Sequence, residues 1–320
     1  LLLDIQREKA KSTFDQEQSQ QTPAEIDFGL FAPTAEPKSK RHPAPTTKPL
    51  DIEWLTALLQ PDSPLAKFFP DFELRPGQLS MMRAVATALN DKRRLIVEAG
   101  TGTGKSIAYL LPSIFFALDN NAPVVISTNT INLQEQLVTK DIPTLLSALG
   151  PILSRSSDSE QSEEEESAEG LSSQLSVAQL KGRSNYLCLR RWNSIRKTQG
   201  LPIEEARFLA RTLVWLSSPS TGDRAELNIF SNEFPIWNKI CAQADNCLSG
   251  ECIHRKDGSC FLYRARREAK GALLIVVNHA LLVSDAINEG KILPLYHHLI
   301  VDEAHHLEEV ATEQLGLKLQ

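Results

Sequence analysis

An α/β fold built around a parallel sheet is predicted by three features of the sequence. Short apolar, β-branched runs alternate with longer helical patterns, a glycine-rich loop joins one such run to a helix, and an acidic box follows another. Strands separated by helices need crossover connections, and crossovers of that kind leave the strands parallel.

The elements follow in chain order. Residues 1–50 read as a disordered linker or the tail of an upstream domain: a helical end at Leu1 to Lys11, then Gln-rich and Pro/Lys/Thr-rich stretches that cannot bury a core. Asp51 is placed to cap a short helix, Ile52 to Gln60, which Pro61 stops, and the globular part is expected to begin near Phe72. Arg75 to Asn90 reads as a helix and Arg94 to Glu98 as a short buried strand. The loop Ala99 to Gly104 opens a helix running to about Leu118, and Val124 to Ser127 is a strand. Asn132 to Leu149 is helical with a break at Pro143, where the ring removes a donor and crowds the preceding turn. Residues 154–170 are Ser/Glu-rich and are expected to be a disordered acidic loop. A strand at Leu273 to Val277, a helix after Asn278 and a strand at His298 to Val301 complete the alternation. The expected organisation is one domain in two parts, 51–180 and 263–320, with a module inserted at 181–262.

Composition narrows the class. The chain has 320 residues, 42% of them hydrophobic, and a net charge of −6. The balance is uneven: Arg155 to Glu169 carries seven acidic residues against one arginine, whereas Lys181 to Lys197 carries six basic residues and no acidic one. No apolar run approaches the ~18 residues of a membrane span. Leu1 to Leu3 run straight into Asp4, unlike a signal peptide. A soluble, cytoplasmic protein with no membrane partner is expected, and the start at Leu1 reads as a fragment of a longer polypeptide. Five cysteines in such a chain favour a metal site or free thiols over disulfides.

The motifs carry the chemistry. In AGTGTGKS (99–106), Gly100, Thr101, Gly102, Thr103 and Gly104 let backbone N–H groups point at a triphosphate where a strand meets a helix. Lys105 would reach the β- and γ-phosphates and Ser106 would hold Mg²⁺; Ala99 replaces the usual first glycine. In the box DEAH (302–305), Asp302 can take a water-mediated place on Mg²⁺ and Glu303 can orient and deprotonate the attacking water. Cys247, Cys252 and Cys260 have the spacing C-x4-C-x7-C, with Cys188 upstream and Cys241 six residues before Cys247. Four thiolates suit a 4Fe-4S cluster or tetrahedral zinc, and His254 admits a Cys3His zinc site as well. Around them Arg183, Arg190, Arg191, Arg196 and Lys197 accompany Tyr186 and Trp192, while Arg264, Arg266 and Arg267 accompany Phe261 and Tyr263. Basic residues interleaved with aromatics suit single-stranded nucleic acid, where stacking gives ~1–3 kcal/mol per base; a solvated basic helix with its aromatics in a core has the same pattern.

AGTGTGKS, STNTINLQEQL (127–137), KGRSNYLC (181–188), CFLYRAR (260–266), VVNHALL (276–282) and VDEAHHL (301–307) occur in that order. Together they resemble the DinG branch of the XPD-like superfamily 2 helicases over roughly residues 51–320. The resemblance implies a RecA-like first motor domain with an inserted iron–sulfur module, using ATP to move 5′→3′ on single-stranded or forked DNA in repair or replication. By position it implies Cys188, Cys247, Cys252 and Cys260 as cluster ligands, with Cys241 surplus. Arg75 and Gln78, in LRPGQ (74–78), match the segment that contacts the adenine side, and Thr128 and Thr130 match one that touches the DNA backbone. The second RecA-like domain and the arch domain are absent, so this chain alone is expected to bind ATP weakly and not to unwind DNA; a monomer is expected. Residues 51–72 also resemble the junction that follows a DnaQ-like exonuclease. Two other readings remain open: a motor acting on RNA or on protein–DNA complexes, and a zinc-containing nucleic-acid module.

Overall fold

The computed structural model describes residues 47–69, 72–153, 175–218 and 220–316. Most of the expected linker and the acidic loop 154–170 lie outside the described residues. Four strands, β1 (Val124–Thr128), β2 (Val177–Gln179), β3 (Leu274–Asn278) and β4 (His298–Val301), form one sheet in the order β2-β3-β1-β4. All three pairings are parallel. The two inner strands are buried along their apolar length, as strands covered on both faces must be, while β4 at the edge is only half-buried.

The N-terminal half builds the main core. Asp51 caps α1 (Ile52–Leu58) by accepting from Trp54 N–H, and Ser63 caps α2 (Pro64–Phe68) in the same way. Leu50, Leu55, Leu58, Leu59 and Leu65 are buried in the core together with Met82 and Phe116. The globular part therefore begins at Leu50 and not near Phe72, because the apolar face of α1 is covered by α3 (Pro76–Asn90). Asn90 and Asn120 fix the entry: Leu50 N–H donates to Asn90 Oδ1 at 2.7 Å and Asn120 Nδ2 donates to the Lys48 carbonyl at 3.1 Å.

Helix α4 (Lys105–Asn120) follows the glycine-rich loop and is buried along most of its length. After β1 come α5 (Ile131–Gln136), one π turn at Leu137–Asp141 and α6 (Ile142–Leu153). The expected break at Pro143 is thus a widened turn just before the proline, which absorbs the missing N–H without ending the helix.

The sequence between β2 and β3 contributes no strand to the sheet and is mainly helical. It holds α7 (Leu189–Arg196), α8 (Ile203–Leu216), α9 (Phe234–Ile240), α10 (Ile253–Lys256) and α11 (Phe261–Gly271). The chain returns through β3, α12 (His279–Ile287) and β4 to α13 (Leu307–Leu315). Among the described residues no helix is long and apolar enough to cross a membrane.

One expected strand is absent. Arg94 to Glu98 joins no ladder, and Ile96 is 99% exposed with Leu95 and Val97 also exposed. A strand is defined by pairing with a neighbour about 4.8 Å away, and this run pairs with none of the four strands. Its composition is that of a buried strand; its surroundings are not.

Candidate functional site

The phosphate loop has the backbone that its glycines permit. Gly102 and Gly104 stand at φ 77° and 80°, a region that side chains disfavour. At Gly104 a Cβ would also collide with the Gln78 side chain. Arg75 and Gln78 brace the loop from α3: Arg75 Nη1 donates to the Gly102 carbonyl at 2.5 Å and Gln78 Nε2 to the Gly104 carbonyl at 3.0 Å. Thr103 Oγ1 closes the turn on the Gly100 carbonyl at 2.7 Å, while Thr101 is exposed at its tip.

Lys105 and Ser106 open α4, where the helix N-terminus favours an anion. The sheet delivers the acidic box opposite them, because Val301 pairs with Ser127 and Asp302 N–H continues the ladder to the Ser127 carbonyl at 2.8 Å. Lys105 Nζ lies 2.7 Å from Glu303 Oε1. That bond holds the Glu303 carboxyl below its ordinary pKa and lifts that of Lys105. The two residues expected to serve phosphate and water are therefore paired with each other. Asp302 differs: burial pushes its carboxyl up, against the opposing pull of a hydrogen bond from Tyr109 Oη at 3.2 Å.

Tyr109 was not singled out from the sequence. Its hydroxyl meets both Asp302 and Ser106, and burial drives its pKa upward, so it remains a donor. The available signal was helical spacing, which places Tyr109 on the same face as Lys105 and Ser106.

The residues expected to touch nucleic acid fare unevenly. Thr128 is buried, and its hydroxyl donates to the Thr130 carbonyl at 3.1 Å. Thr130 is exposed and caps α5 by accepting from Leu133 N–H at 3.2 Å. Tyr186 and Trp192 are each only 3% exposed, so their rings are core residues and are not available to stack on bases. The Tyr186 hydroxyl accepts from Lys181 N–H at 3.0 Å. Arg190 donates to the Asn246 carbonyl, and Arg191 to the carbonyls of Cys241 and Asn238 at 3.0 Å each, so both guanidinium groups tie α7 to the cysteine-bearing loop. Arg183 is half-buried. For Tyr186, Trp192, Arg190 and Arg191 the alternation of basic and aromatic residues reports packing, which the sequence pattern alone did not separate from binding.

Cys188, Cys252 and Cys260 each immediately precede a helix, at α7, α10 and α11, and Cys247 is exposed and lies between α9 and α10. Cys188, Cys252 and Cys247 all act electrostatically on Cys260, whose thiol is pushed up chiefly by burial. Cys241 stands aside: it is buried, its Sγ lies 3.8 Å from the Asn238 carbonyl, and Cys188 is the single other cysteine that acts on it. His254 Nδ1 is 2.9 Å from Ser259 Oγ. Among the described residues no group of three or more His, Cys, Asp or Glu is placed so as to hold a metal ion. The four thiols suit a thiolate-bound centre by donor type alone.

A parallel sheet, a phosphate loop and a carboxylate pair facing its lysine define a RecA-like nucleotide-binding motor domain. The DEAD/DEAH box helicase family matches residues 76–205. The chain is 34% identical over 252 residues to the Bacillus subtilis protein named 3'-5' exonuclease DinG, covering 79% of this chain and 24% of that protein. It is 38% identical over 260 residues to ATP-dependent helicase DinG of Mycobacterium tuberculosis, covering 77% and 36%. With ATP-dependent DNA helicase YoaA of Escherichia coli it shares 35% identity over 264 residues, covering 81% and 37%. Over the matched span the chain is similar to the DinG-like helicases of the DEAD/DEAH box class. It spans between 24% and 37% of the length of these relatives.

Proposed function

We propose that this chain is the ATP-binding part of an ATP-dependent DNA helicase. The observation that carries the reading is the Lys105–Glu303 pair at 2.7 Å, flanked by Ser106, Tyr109 and Asp302. An incoming triphosphate seats on the N–H groups of residues 100–106 and draws Lys105 to its β- and γ-phosphates, which releases Glu303 to orient and deprotonate water. Mg²⁺, for which Ser106 and Asp302 are the residues, supplies charge compensation on the phosphates. Arg75 and Gln78 hold the loop and flank the adenine side. DNA is the substrate class because two relatives carry helicase names and one of these specifies DNA.

The finer reading follows the resemblance. Movement is 5′→3′ on single-stranded or forked DNA, in repair or replication in the cytoplasm, by a monomer whose second motor domain completes the ATP site. Thr128, Thr130 and Arg183 line the DNA path. Residues 181–262 form a module inserted into a motor domain made of residues 51–180 and 263–320, and Cys188, Cys247, Cys252 and Cys260 hold a 4Fe-4S cluster. The cluster would give that module a rigid centre; the donor type of the four thiols and the electrostatic action of the other three on Cys260 support it. Cys241 is spare, since its Sγ faces the Asn238 carbonyl. The exonuclease name of the Bacillus relative favours a second reading, in which this motor follows a nuclease in one polypeptide.

Two experiments test these proposals. In the full-length protein, ATP hydrolysis is expected to rise with single-stranded DNA and unwinding to favour 5′-tailed duplexes. Lys105→Ala should lower turnover about 10²- to 10³-fold, the usual loss when a positioned charge-stabilising group is removed; undiminished turnover would show the site to be wrong. Anaerobically purified protein should be brown, Cys188→Ser should bleach it and Cys241→Ser should not. Colourless protein with stoichiometric zinc would replace the cluster with zinc.

A further inference from the structure

The ends of the three parallel strands bring together two segments that serve different ligands. Thr128 stands opposite Asn278 in the β1–β3 register, and Ser127 stands opposite Val301 in the β1–β4 register. Ser127 consequently has two long-range partners. Its carbonyl accepts from Asp302 N–H at 2.8 Å, and its Oγ lies 2.8 Å from Nδ1 of His279, the first residue of α12. His279 is fully buried at 0% exposure, where a neutral ring carries a single N–H. In the tautomer whose Nδ1 accepts from the Ser127 hydroxyl, that N–H is on Nε2. Nε2 is sealed from water and has no hydrogen-bond partner among the described residues. The backbone of Glu303 and Asp302 faces the ring closely enough to favour its proton. Glu303 itself holds a left-handed conformation, φ 53° and ψ 43°, that a residue with a side chain rarely adopts.

A buried donor that faces the Asp302–Glu303 backbone but forms no hydrogen bond of good geometry with it, beside a turn in a sparsely populated conformation, describes an arrangement that a shift of the turn would relax. On the other side of the ring, Ser127 leads directly into Thr128 and Thr130. We propose that His279 is a positioning residue that couples the Ser127–Thr130 segment to the Asp302–Glu303 turn. DNA held at the first then sets the turn so that its backbone accepts from Nε2, and Glu303, freed from Lys105 by the triphosphate, is held toward the attacking water. The proposal rests on the reading of this chain as a DNA-stimulated ATPase. It gives VVNHALL (276–282) a role outside the nucleotide site proper.

The test uses the full-length protein and the ratio of ATP turnover with saturating single-stranded DNA to turnover without it. His279→Leu, which keeps an apolar filler but no ring nitrogen, is expected to reduce that ratio at least fivefold. Ser127→Ala, the milder change at the other end of the same bond, should reduce it in the same direction. The double variant should lose no more than His279→Leu alone, since both act through one link. His279→Gln, which restores a donor, should recover part of the ratio. A proportional drop of both rates would mark His279 as a packing residue and overturn the proposal, as would an unchanged ratio. If His279→Leu does not fold, Ser127→Ala decides by the same criteria. A wild-type protein whose turnover does not respond to DNA would instead remove the functional reading itself.

Discussion

At the scale of single residues the site is a set of side chains held by one another. Tyr109 shows this best, because its ring fills the core and its hydroxyl serves the site. Tyr109→Phe keeps the ring and removes the hydroxyl that donates to Asp302 and meets Ser106. A hydrogen bond of this kind contributes roughly 1 kcal/mol, about a fivefold change in an equilibrium constant. The Mg²⁺ concentration giving half-maximal ATP turnover in the full-length protein should rise by about that factor; an unchanged Mg²⁺ titration would show that Tyr109 does not support the metal-facing residues. Lys105, Asp302 and Glu303 were legible in sequence because the loop and the box are short, contiguous and fixed by phosphate chemistry. His279 was not, since its partner Ser127 and the backbone of residues 302 and 303 that faces its ring lie far away in sequence and meet only when β1, β3 and β4 align.

At the scale of elements, β4 illustrates what an edge strand must tolerate. His298 begins it and packs its ring 4.5 Å from that of Phe116. Burial there lowers the imidazole pKa from 6.5 to about 4. A depressed histidine resists protonation in the folded state more than in the unfolded one, so the unfolded chain binds more protons between those two values. Stability is expected to fall as the pH drops from 6.5 towards 4, and His298→Gln should flatten that part of the profile. Thermal unfolding of the two proteins at several pH values checks this; parallel profiles would place the acid sensitivity elsewhere. The helix after β1 carries a different lesson. Gln134 is fully buried and its Nε2 donates to the carbonyls of Leu180 and Val276 at 2.9 and 2.8 Å, so it closes backbone groups beyond the end of β2 and near the end of β3. Helical periodicity located the helix but gave no sign that a glutamine would supply its innermost contact.

At the scale of the whole molecule, one buried cation joins the helical excursion to the sheet. Lys181 is 2% exposed and pairs with Glu135 of α5 at 2.6 Å and with Asp223 of the excursion. Replacing it by methionine leaves two carboxylates facing each other with no cation, and removal of one partner of a buried pair typically costs about 3–5 kcal/mol. Lys181→Met should lower the urea midpoint accordingly, whereas a loss below about 1 kcal/mol, as for an exposed pair, would mean that water reaches the site. The sequence by itself determined the alternation of strands and helices, the phosphate loop, the acidic box and the identity of the cysteines, since each depends on neighbours within a few residues. Tertiary structure decided the remainder. It left Leu95 to Val97 exposed where composition promised a strand, placed Tyr186 and Trp192 in the core, and put Lys105 on Glu303. The physical reason is common to all three: pairing, burial and ionic contact are properties of two surfaces, and a linear sequence specifies only one of them at a time.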